Sequence, residues 1–462
     1  MKKFRNFKRA ALPFASLFLC MSCGGGDQGG EGPQSTWYKD ADRDSFSNGV
    51  TMTAAKQPAG YRPASELAAT TGDCDDTNAS VHPGAIDVDA DHIDQDCNGF
   101  EIGGPEEVVF DWSADRCEDL DIPDLPARAF RDRSGQVQLI SSHATARRFL
   151  GPDLNDLTHD CTVVMTSHLD PDPGMFNDVE WIGATYTEDG ETIYAIIHNE
   201  YEGWTHPGQC STPFWSASCW YNGLTLAVST DAGRSYGHPL VPPLHHIAGT
   251  PWVYTLDRGP RGIFHPSSIL KRGDGYYYAI VQRVGGGTQD DTSQWSCLMR
   301  TPDLGDPDAW RFWDGSAFAG RFVNPYTDAI TDPAAHDCPP IDREDISDMT
   351  QSLTYSEYLG KFILVGSGTS IDGSRHGFFI SLSDDMIDWT PRELLLERAL
   401  PWTAQDPTKP HYLYPSLLDP DSTSRSFDTV GNTAYVYFTR NNRAAGDLDR
   451  DMIRVPVEFF RH

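Results

Sequence analysis

The chain repeats one short pattern five times between Asp121 and Phe460. In each copy an apolar strand follows a polar entry, a turn comes next, and a second strand rich in aromatic residues follows. The copies occupy residues 127–143, 181–201, 265–283, 350–368 and 414–440. One such unit cannot bury both of its faces alone, so the units must pack against one another. The pattern predicts an all-β fold, a five-bladed β-propeller over residues 104–462.

The composition agrees with this prediction. No long run carries apolar residues at the helical spacing, whereas the 41 glycines and 32 prolines suit a chain with many turns. Residues 451–460 form the last apolar strand of the fifth repeat. The apolar residues 108–112 are expected to pair with that strand and close the ring.

The N-terminus has the layout of an export signal. Basic residues precede an apolar stretch that ends near residue 22, so residues 1–22 are predicted to be a signal peptide. The following cysteine and three glycines resemble a bacterial lipoprotein lipobox, which makes Cys23 the expected lipidation site. A plain secretory signal is the alternative. Residues 23–35 are predicted to be a flexible Gly-rich tether. We therefore expect an exported lipoprotein, anchored in a membrane and facing the periplasm or the cell surface.

The charge and the cysteines are consistent with export. A formal net charge of −31 disfavours nucleic acid as a partner. Eight cysteines follow Cys23, and an even number favours disulfides in an exported protein. Proximity in sequence favours the pairs Cys74–Cys97 and Cys210–Cys219. The other four cysteines allow three pairings, of which we favour Cys117–Cys161 with Cys297–Cys338.

Residues 36–103 form a segment rich in aspartate. Acidic residues alternate along its turns, and without a cation these charges would repel one another. Calcium accepts six to eight such oxygens, so the segment is predicted to be a small calcium-binding module. The candidate ligands are Asp40, Asp42, Asp44, Asp73, Asp75, Asp76, Asn78, Asp87, Asp89, Asp91, Asp94, Asp96 and Asn98.

This segment resembles a known metal-binding repeat over residues 36–101. The motifs DCDD, HPGA and IDQDCNG carry the resemblance, and the repeat is named after a copper-binding surface protein of methanotrophs. The family usually has a third cysteine where this chain has Val88. His82 and His92 keep copper possible, but the many hard oxygen ligands favour calcium. We interpret the module as a metal-stiffened stalk; a disordered acidic linker is the alternative.

The repeats of residues 105–460 resemble five-bladed propeller glycoside hydrolases of the arabinanase, fructosidase and family 43 type. The resemblance implies two carboxylates, one acid and one base, that flank a glycosidic bond. Asp124 stands in a D-x-P-x-R entry like the one that carries the general base. The family places its acid, a glutamate, at the start of the third blade, where this chain has His265. Glu200 or Glu180 must then supply the proton.

Further polar residues are expected to face the axis of the propeller and bind substrate. These candidates are Arg128, Asp178, His198, His265, Arg283, Gln351, Tyr414 and Arg440. Trp215 and Trp220 belong to the loop that contains Cys210 and Cys219. Their rings could stack on a sugar, although most tryptophans in such folds pack between blades.

Two functional hypotheses follow. The first is a surface-anchored, carbohydrate-active hydrolase that uses two axial carboxylates. The alternative is a non-catalytic propeller lipoprotein that binds a glycan or a protein. A copper-handling protein is a third interpretation, and it rests on the small acidic module alone.

Overall fold

A computed structural model describes residues 33–88, 90–141, 143–287, 291–404 and 406–462. The predicted signal peptide, Cys23, most of the tether and Asp89 lie outside these ranges. The chain divides into two compact units, Met1–Ala79 and Ser80–His462. In the described part of the chain, no helix is both long and apolar enough to cross a membrane.

The first unit contains one small antiparallel sheet. Its strands are Ser35–Lys39, Thr51–Ala54 and Tyr61–Arg62, and a 3-10 turn follows at Ala64–Glu66. The turns that follow the first strand carry Asp40, Asp42 and Asp44. Two of these carboxylates accept hydrogen bonds from backbone N–H groups two residues further on, which shapes the turns.

The second unit contains four sheets, and the largest of them has nine strands. Within that sheet, a short parallel pairing of Tyr221 and Asn222 with Arg261 and Gly262 joins two antiparallel parts. With these two parts counted separately, five antiparallel groups of strands follow one another along the chain, named here sheets 1 to 5. Sheet 1 consists of Arg128–Arg131, Val137–Ile140, Thr145–Asp153 and Asp156–Thr166. Sheet 2 consists of Val179–Tyr186, Ile193–Glu202, Trp220–Ser229 and His246–Ala248. Sheet 3 consists of Arg261–Phe264, Leu270–Lys271, Tyr277–Val284, Gln294–Thr301 and Arg311–Phe312.

Sheets 4 and 5 have the same order of antiparallel neighbours. Sheet 4 consists of Ser352–Ser356, Lys361–Thr369, His376–Ser383 and Glu393–Glu397, with Thr429–Val430 added in parallel at its first strand. Sheet 5 consists of His411–Leu418, Thr433–Asn441 and Arg450–Phe459, completed by Phe100–Ile102 and Glu107–Phe110.

Within the described ranges, helical structure is confined to single turns. The α-helical turns are Trp112–Asp115 and Arg343–Ile346. The remaining 3-10 turns are Pro173–Met175, Gly203–Thr205, Ala217–Cys219, Pro307–Ala309 and Pro333–His336. The all-β prediction is therefore confirmed. The expected pairing of residues 108–112 with the last strand is also present, with Val108 opposite Ile453 and Phe110 opposite Met452.

Apolar side chains form a cluster between each sheet and the next. Separate clusters join sheets 1 and 2, 2 and 3, 3 and 4, and 4 and 5. A fifth cluster joins sheet 5 to sheet 1, where Leu139 shares a cluster with Tyr437 and Met452. Each sheet thus buries both faces against its neighbours, which is the packing that the repeats require.

Arg128 lies where the first strands of the five sheets meet. The side chain is buried, and its guanidinium donates to the carbonyl oxygens of Gly183, Pro266 and Gln351 at 2.9, 3.0 and 2.7 Å. It also donates to the hydroxyl of Ser416 at 3.1 Å and more weakly to the carbonyl of Ala127. One side chain of sheet 1 therefore bonds to all four other sheets.

The disulfides agree with the pairs favoured from the sequence. Cys117–Cys161, Cys210–Cys219 and Cys297–Cys338 are bonded. Cys74 and Cys97 are each disulfide-bonded.

Residues 80–103 group with the five sheets. Phe100–Ile102 runs antiparallel to the last strand, and Phe100 joins the apolar cluster of sheets 4 and 5. The first unit ends at Ala79.

Candidate active site

A cavity of about 960 Å³ lies among the five sheets. Residues from all five sheets or their connecting loops line it, and they are mostly carboxylates, histidines and aromatic rings. The acidic lining residues are Asp124, Glu200, Glu202 and Asp447. A polar cavity with several converging acids and aromatic walls suits a hydrophilic ligand that has apolar faces.

Asp124 enters the cavity just before the first strand of sheet 1. Its carboxylate forms an ion pair with Arg450 and accepts a hydrogen bond from the Tyr414 hydroxyl at 3.3 Å. His143 Nε2 lies 3.6 Å from its second oxygen. Asp124 is therefore held in place by groups from sheets 1 and 5.

Glu200 lies on the second strand of sheet 2. One carboxyl oxygen is 2.7 Å from His198 Nε2, and the other accepts a hydrogen bond from Trp220 Nε1 at 2.9 Å. Burial raises the pKa of Glu200 well above its usual value, and the negative charge of Asp124 raises it further.

Glu202 lies two residues further along the same strand and lines the same cavity. Burial raises its pKa to about 8, with added repulsion from Glu200, Asp178 and Asp124. Its carboxyl group makes no hydrogen bond to another described residue, whereas both oxygens of Glu200 are engaged. Glu202 is thus a carboxylic acid that stays protonated at neutral pH and remains free to donate.

Two histidines lie beside these acids. His198 and His265 stack with ring centroids 5.1 Å apart, and burial lowers the pKa of each to about 3. They are therefore neutral. His265 has φ of +38°, and Tyr414 has φ of +59°. Such backbone angles are unusual for residues other than glycine and are concentrated at functional sites.

Aromatic rings from four segments complete the walls. They are Trp181, Trp215, Trp220, Trp402, Tyr412 and Tyr414. Trp215 and Trp220 flank the end of the loop that the Cys210–Cys219 disulfide closes. The structure therefore brings the predicted aromatic loop to the cavity.

Glu180 and Asp178 lie behind the cavity wall. Glu180 is fully buried, and both its oxygens contact histidines, His168 at 2.6 Å and His238 at 2.5 Å. Asp178 is also buried and accepts hydrogen bonds from the Glu202 backbone N–H and from His206. Neither carboxylate lines the cavity. Because side chains alternate along a strand, Glu180 points away while the adjacent Trp181 faces the cavity.

The three predicted substrate-binding arginines are engaged by the protein. The guanidinium of Arg128 donates hydrogen bonds to oxygens of Gly183, Pro266, Gln351 and Ser416. Arg283 forms a two-pronged ion pair with Asp337 at 2.9 and 2.7 Å, and Arg440 pairs with Asp451 at 2.8 Å. None of the three lines the cavity, whereas the predicted residues His265, Gln351 and Tyr414 do.

Sequence reasoning did not identify His143, Trp402 or Arg450 as cavity residues. Arg450 begins the third strand of sheet 5, and Trp402 lies in the connection between sheets 4 and 5. Neither position belongs to the repeated first strand of a sheet. Arg450 is a charged residue at the start of the apolar strand in DRDMIRV, and this position was the one feature of the sequence that could have indicated a role in the cavity.

The first unit brings together five of the predicted metal ligands. Asp40, Asp42 and Asp44 converge, and Asp42 also lies near Asp73 and Asp76. Asp42, Asp44 and Asp73 each have one oxygen that is buried without a hydrogen bond. Burial raises the pKa of Asp73 to about 6, and the charges of Asp44 and Asp42 add to the shift.

Other predicted ligands do not join this group. Asp75 is exposed and accepts a hydrogen bond from the Thr77 hydroxyl. Asp91 accepts a hydrogen bond from the side-chain amide of Gln95. In the second unit, Asp96 lies near Asp87 and Asp94, and burial together with these charges raises its pKa to about 6. Glu393, which the sequence did not indicate, lies near the same aspartates, and burial raises its pKa to about 7.

Comparison with known proteins gives a family match for a short part of the chain. Residues 73–101 match the Cu-binding MopE family, described as a metal-binding motif. This confirms part of the resemblance that the acidic motifs indicate. No curated protein matches the chain.

Solved structures with a similar fold share little sequence. A protein of unknown function from Dyadobacter fermentans superposes with a TM-score of 0.47 at 11% identity, covering 78% of this chain and all of its own. An α-L-arabinofuranosidase from Podospora anserina, solved with cellotriose, gives 0.41 at 10%, covering 76% and 95%. An endo-arabinase from Bacteroides thetaiotaomicron gives 0.41 at 10%, covering 76% and 97%. These are similarities only, since each TM-score lies below 0.5.

Proposed function

We propose that residues 104–462 form a five-bladed β-propeller that hydrolyses a carbohydrate in the cavity among the sheets. Asp124 acts as the base that activates water, and the Glu200–Glu202 pair supplies the proton to the glycosidic oxygen. The observation that carries this proposal is Glu202, whose unbonded carboxyl has a pKa of about 8 in a cavity that also holds Asp124. Glycoside hydrolysis needs one carboxyl protonated and one ionised.

Glu202 rather than Glu200 acts as the acid, because its carboxyl group is free to contact a substrate. Trp220 and His198 hold both oxygens of Glu200, whereas Glu202 is free. Burial is the main cause of the raised pKa of Glu202, and Glu200, when it is ionised, raises that pKa further. Aromatic side chains such as Trp402 offer faces on which sugar rings can stack.

Hydrolysis of a panel of aryl-glycosides and polysaccharides tests the proposal. We expect Asp124→Asn and Glu202→Gln to lower kcat/KM by about 100- to 10,000-fold, the range that acid and base catalysis supply. Glu200→Gln should have a smaller effect. Asp372→Asn and Glu397→Gln change exposed acids outside the cavity and serve as controls that should keep full activity.

A glycan-binding protein without catalysis is the second candidate. The ion pair of Asp124 with Arg450 and its bond to Tyr414 favour it, because a base must be free to accept a proton. If the wild-type protein turns over no substrate in the panel but binds a glycan, and Trp402→Ala weakens that binding, this candidate replaces the first.

We also propose that the acidic turns of the first unit bind calcium. Buried carboxylate oxygens without hydrogen bonds at Asp42, Asp44 and Asp73 support a bound cation. Calcium should raise the Tm, and Asp73→Asn should abolish the rise. Asp75→Asn, at an exposed position, should keep it. A larger rise with copper than with calcium would contradict the proposal.

Export and anchoring belong to the same proposal. The basic and apolar start of the sequence and Cys23 support a lipid-anchored protein at the cell surface. Metabolic labelling with a radioactive fatty acid tests this. Wild-type protein should carry the label, and Cys23→Ser should not.

A further inference from the structure

Two histidines and a glutamate form a compact cluster outside the cavity. His168 Nδ1 lies 2.6 Å from one oxygen of Glu180, and His238 Nε2 lies 2.5 Å from the other. One ligand atom from each residue lies within 4.8 Å of the other two. The cluster joins three separate segments: the chain after sheet 1, the first strand of sheet 2, and the loop after the third strand of sheet 2.

The surroundings of the cluster orient its ring nitrogens. His238 Nδ1 lies 2.8 Å from the Leu226 carbonyl oxygen, to which it can only donate. This bond turns the other nitrogen, Nε2, toward Glu180. A histidine that binds a metal commonly donates its second nitrogen to a carbonyl or carboxylate in this way. The geometry of His238 is therefore that of a prepared ligand.

The charge of Glu180 needs compensation. Its side chain is fully buried, and among the described residues its only ion-pair partners are His168 and His238. A buried carboxylate facing two imidazoles is costly unless a proton or a metal ion lies between them. A third imidazole, His245, packs edge-on against His238 with ring centroids 4.2 Å apart. Its Nδ1 is buried and has no hydrogen-bond partner among the described residues.

Solvent reaches the cluster from one side. His168 has half of its side chain exposed, whereas Glu180 and His238 are buried. A second cavity of about 380 Å³ is lined by His168, Tyr236 and Gly237. An ion bound at the cluster would therefore have access to a water molecule as a further ligand.

We propose that His168, Glu180 and His238 bind a divalent transition-metal ion, with Zn²⁺ the best fit. Imidazole and carboxylate are ligands that zinc prefers, and three protein ligands with one open position is a common zinc arrangement. None of the three residues lines the large cavity. The site is thus separate from the proposed catalytic acids and does not depend on the proposed hydrolase activity.

Zinc binding to the tag-free protein tests this proposal. Calcium is kept in excess to occupy hard oxygen sites, and Zn²⁺ affinity is measured by titration calorimetry. The wild type should bind one zinc ion with high affinity. His168→Gln removes the half-exposed ligand and should weaken binding by about 100-fold or more, since even indirect partners of a metal account for 10- to 100-fold. His336→Gln changes a partly buried histidine outside the cluster and should have no effect.

Crystals grown with Zn²⁺ provide the second measurement. An anomalous peak at the zinc edge within bonding distance of His168, Glu180 and His238 supports the proposal. Two results overturn it: no zinc bound at this cluster, which would mean that a protonated histidine balances Glu180, or equal affinity in the wild type and His168→Gln. Because His168 is half exposed, its variant should remain folded, and a circular dichroism spectrum checks this.

Discussion

Arg128 and Asp124 lie four residues apart and yet belong to two different environments. The guanidinium of Arg128 is buried, and its donors all meet oxygens of the surrounding sheets. Asp124 faces a cavity in which Glu202 has no hydrogen-bonded partner. The first environment is complete without a ligand, and the second is not. Polar groups at the centre of such a fold can therefore hold the sheets together or bind a ligand, and their bonding distinguishes the two.

Removal of the Arg128 guanidinium tests whether this side chain holds the sheets together. Arg128→Met would leave the carbonyls of Gly183, Pro266 and Gln351 buried without a donor. Each orphaned acceptor costs about 1–3 kcal/mol, so the free energy of unfolding should fall by at least about 3 kcal/mol. Urea unfolding of the variant measures this fall.

The matched control for that experiment is Arg375→Met. Arg375 pairs with Glu397 where both side chains are more than half exposed, so its loss should change stability by less than about 1 kcal/mol. If Arg128→Met proves as stable as this control, Arg128 does not hold the sheets together, and its assignment to a ligand must be reconsidered.

The pH dependence of hydrolysis tests the role of Glu202 in the cavity. Glu202 must be protonated to act as an acid, and its pKa is about 8. The value of kcat/KM should fall about tenfold for each pH unit above 8, because the ionised form of Glu202 cannot donate a proton. A profile that already falls between pH 5 and 6 would rule out Glu202 as the acid.

The pH profile of a Glu200→Gln variant tests whether Glu200 raises the pKa of Glu202. Burial is the main cause of the raised pKa of Glu202, and the charge of Glu200 is the next. In Glu200→Gln the repulsion is gone, so the pKa of Glu202 should fall and the alkaline limb should move to lower pH. An unchanged limb would show that the two glutamates titrate independently. The readout is the position of the limb, which a general loss of activity would not move.

The smallest expected effect concerns the aromatic wall. Trp402 lines the cavity and is 62% exposed. Its ring should contribute about 0.5–1.5 kcal/mol to stacking on a sugar, so Trp402→Ala should weaken oligosaccharide binding by about 3- to 10-fold. Phe214→Ala alters a similarly exposed ring outside the cavity and should leave binding unchanged. Equal losses in both variants would contradict a specific stacking site.

Sequence periodicity was sufficient for much of the fold. Four of the five repeats cover most of the first two strands of one sheet, and the third repeat covers the second strand and most of the third strand of sheet 3. Val108 and Phe110 pair with the last strand as expected. Local spacing also favoured Cys210–Cys219 correctly. These features depend on short segments or on the repeat itself, which can be read along the chain. The pairing of Phe100–Ile102 with the last strand was not predictable, because it is a contact with the far end of the chain.

The candidate site was predictable in part. Asp124 and Glu200 were predicted as site residues because they are carboxylates near the expected axis, and both line one cavity in the structure. Glu180 looked equally suitable in the sequence, but the pleat of its strand turns it toward His168 and His238. Arg450 and Trp402 were missed because they reach the cavity from outside the repeated first strands.

The sequence by itself determined the all-β class and the acidic metal-binding motif of residues 73–101. Apolar periodicity and local composition contain this information. Only the tertiary structure decided which polar side chains meet. A carboxylate's role depends on burial and on neighbours hundreds of residues away, as in the contact of Asp124 with Arg450. No local pattern records such neighbours, so the difference between the Arg128 environment and the cavity emerged only from the folded chain.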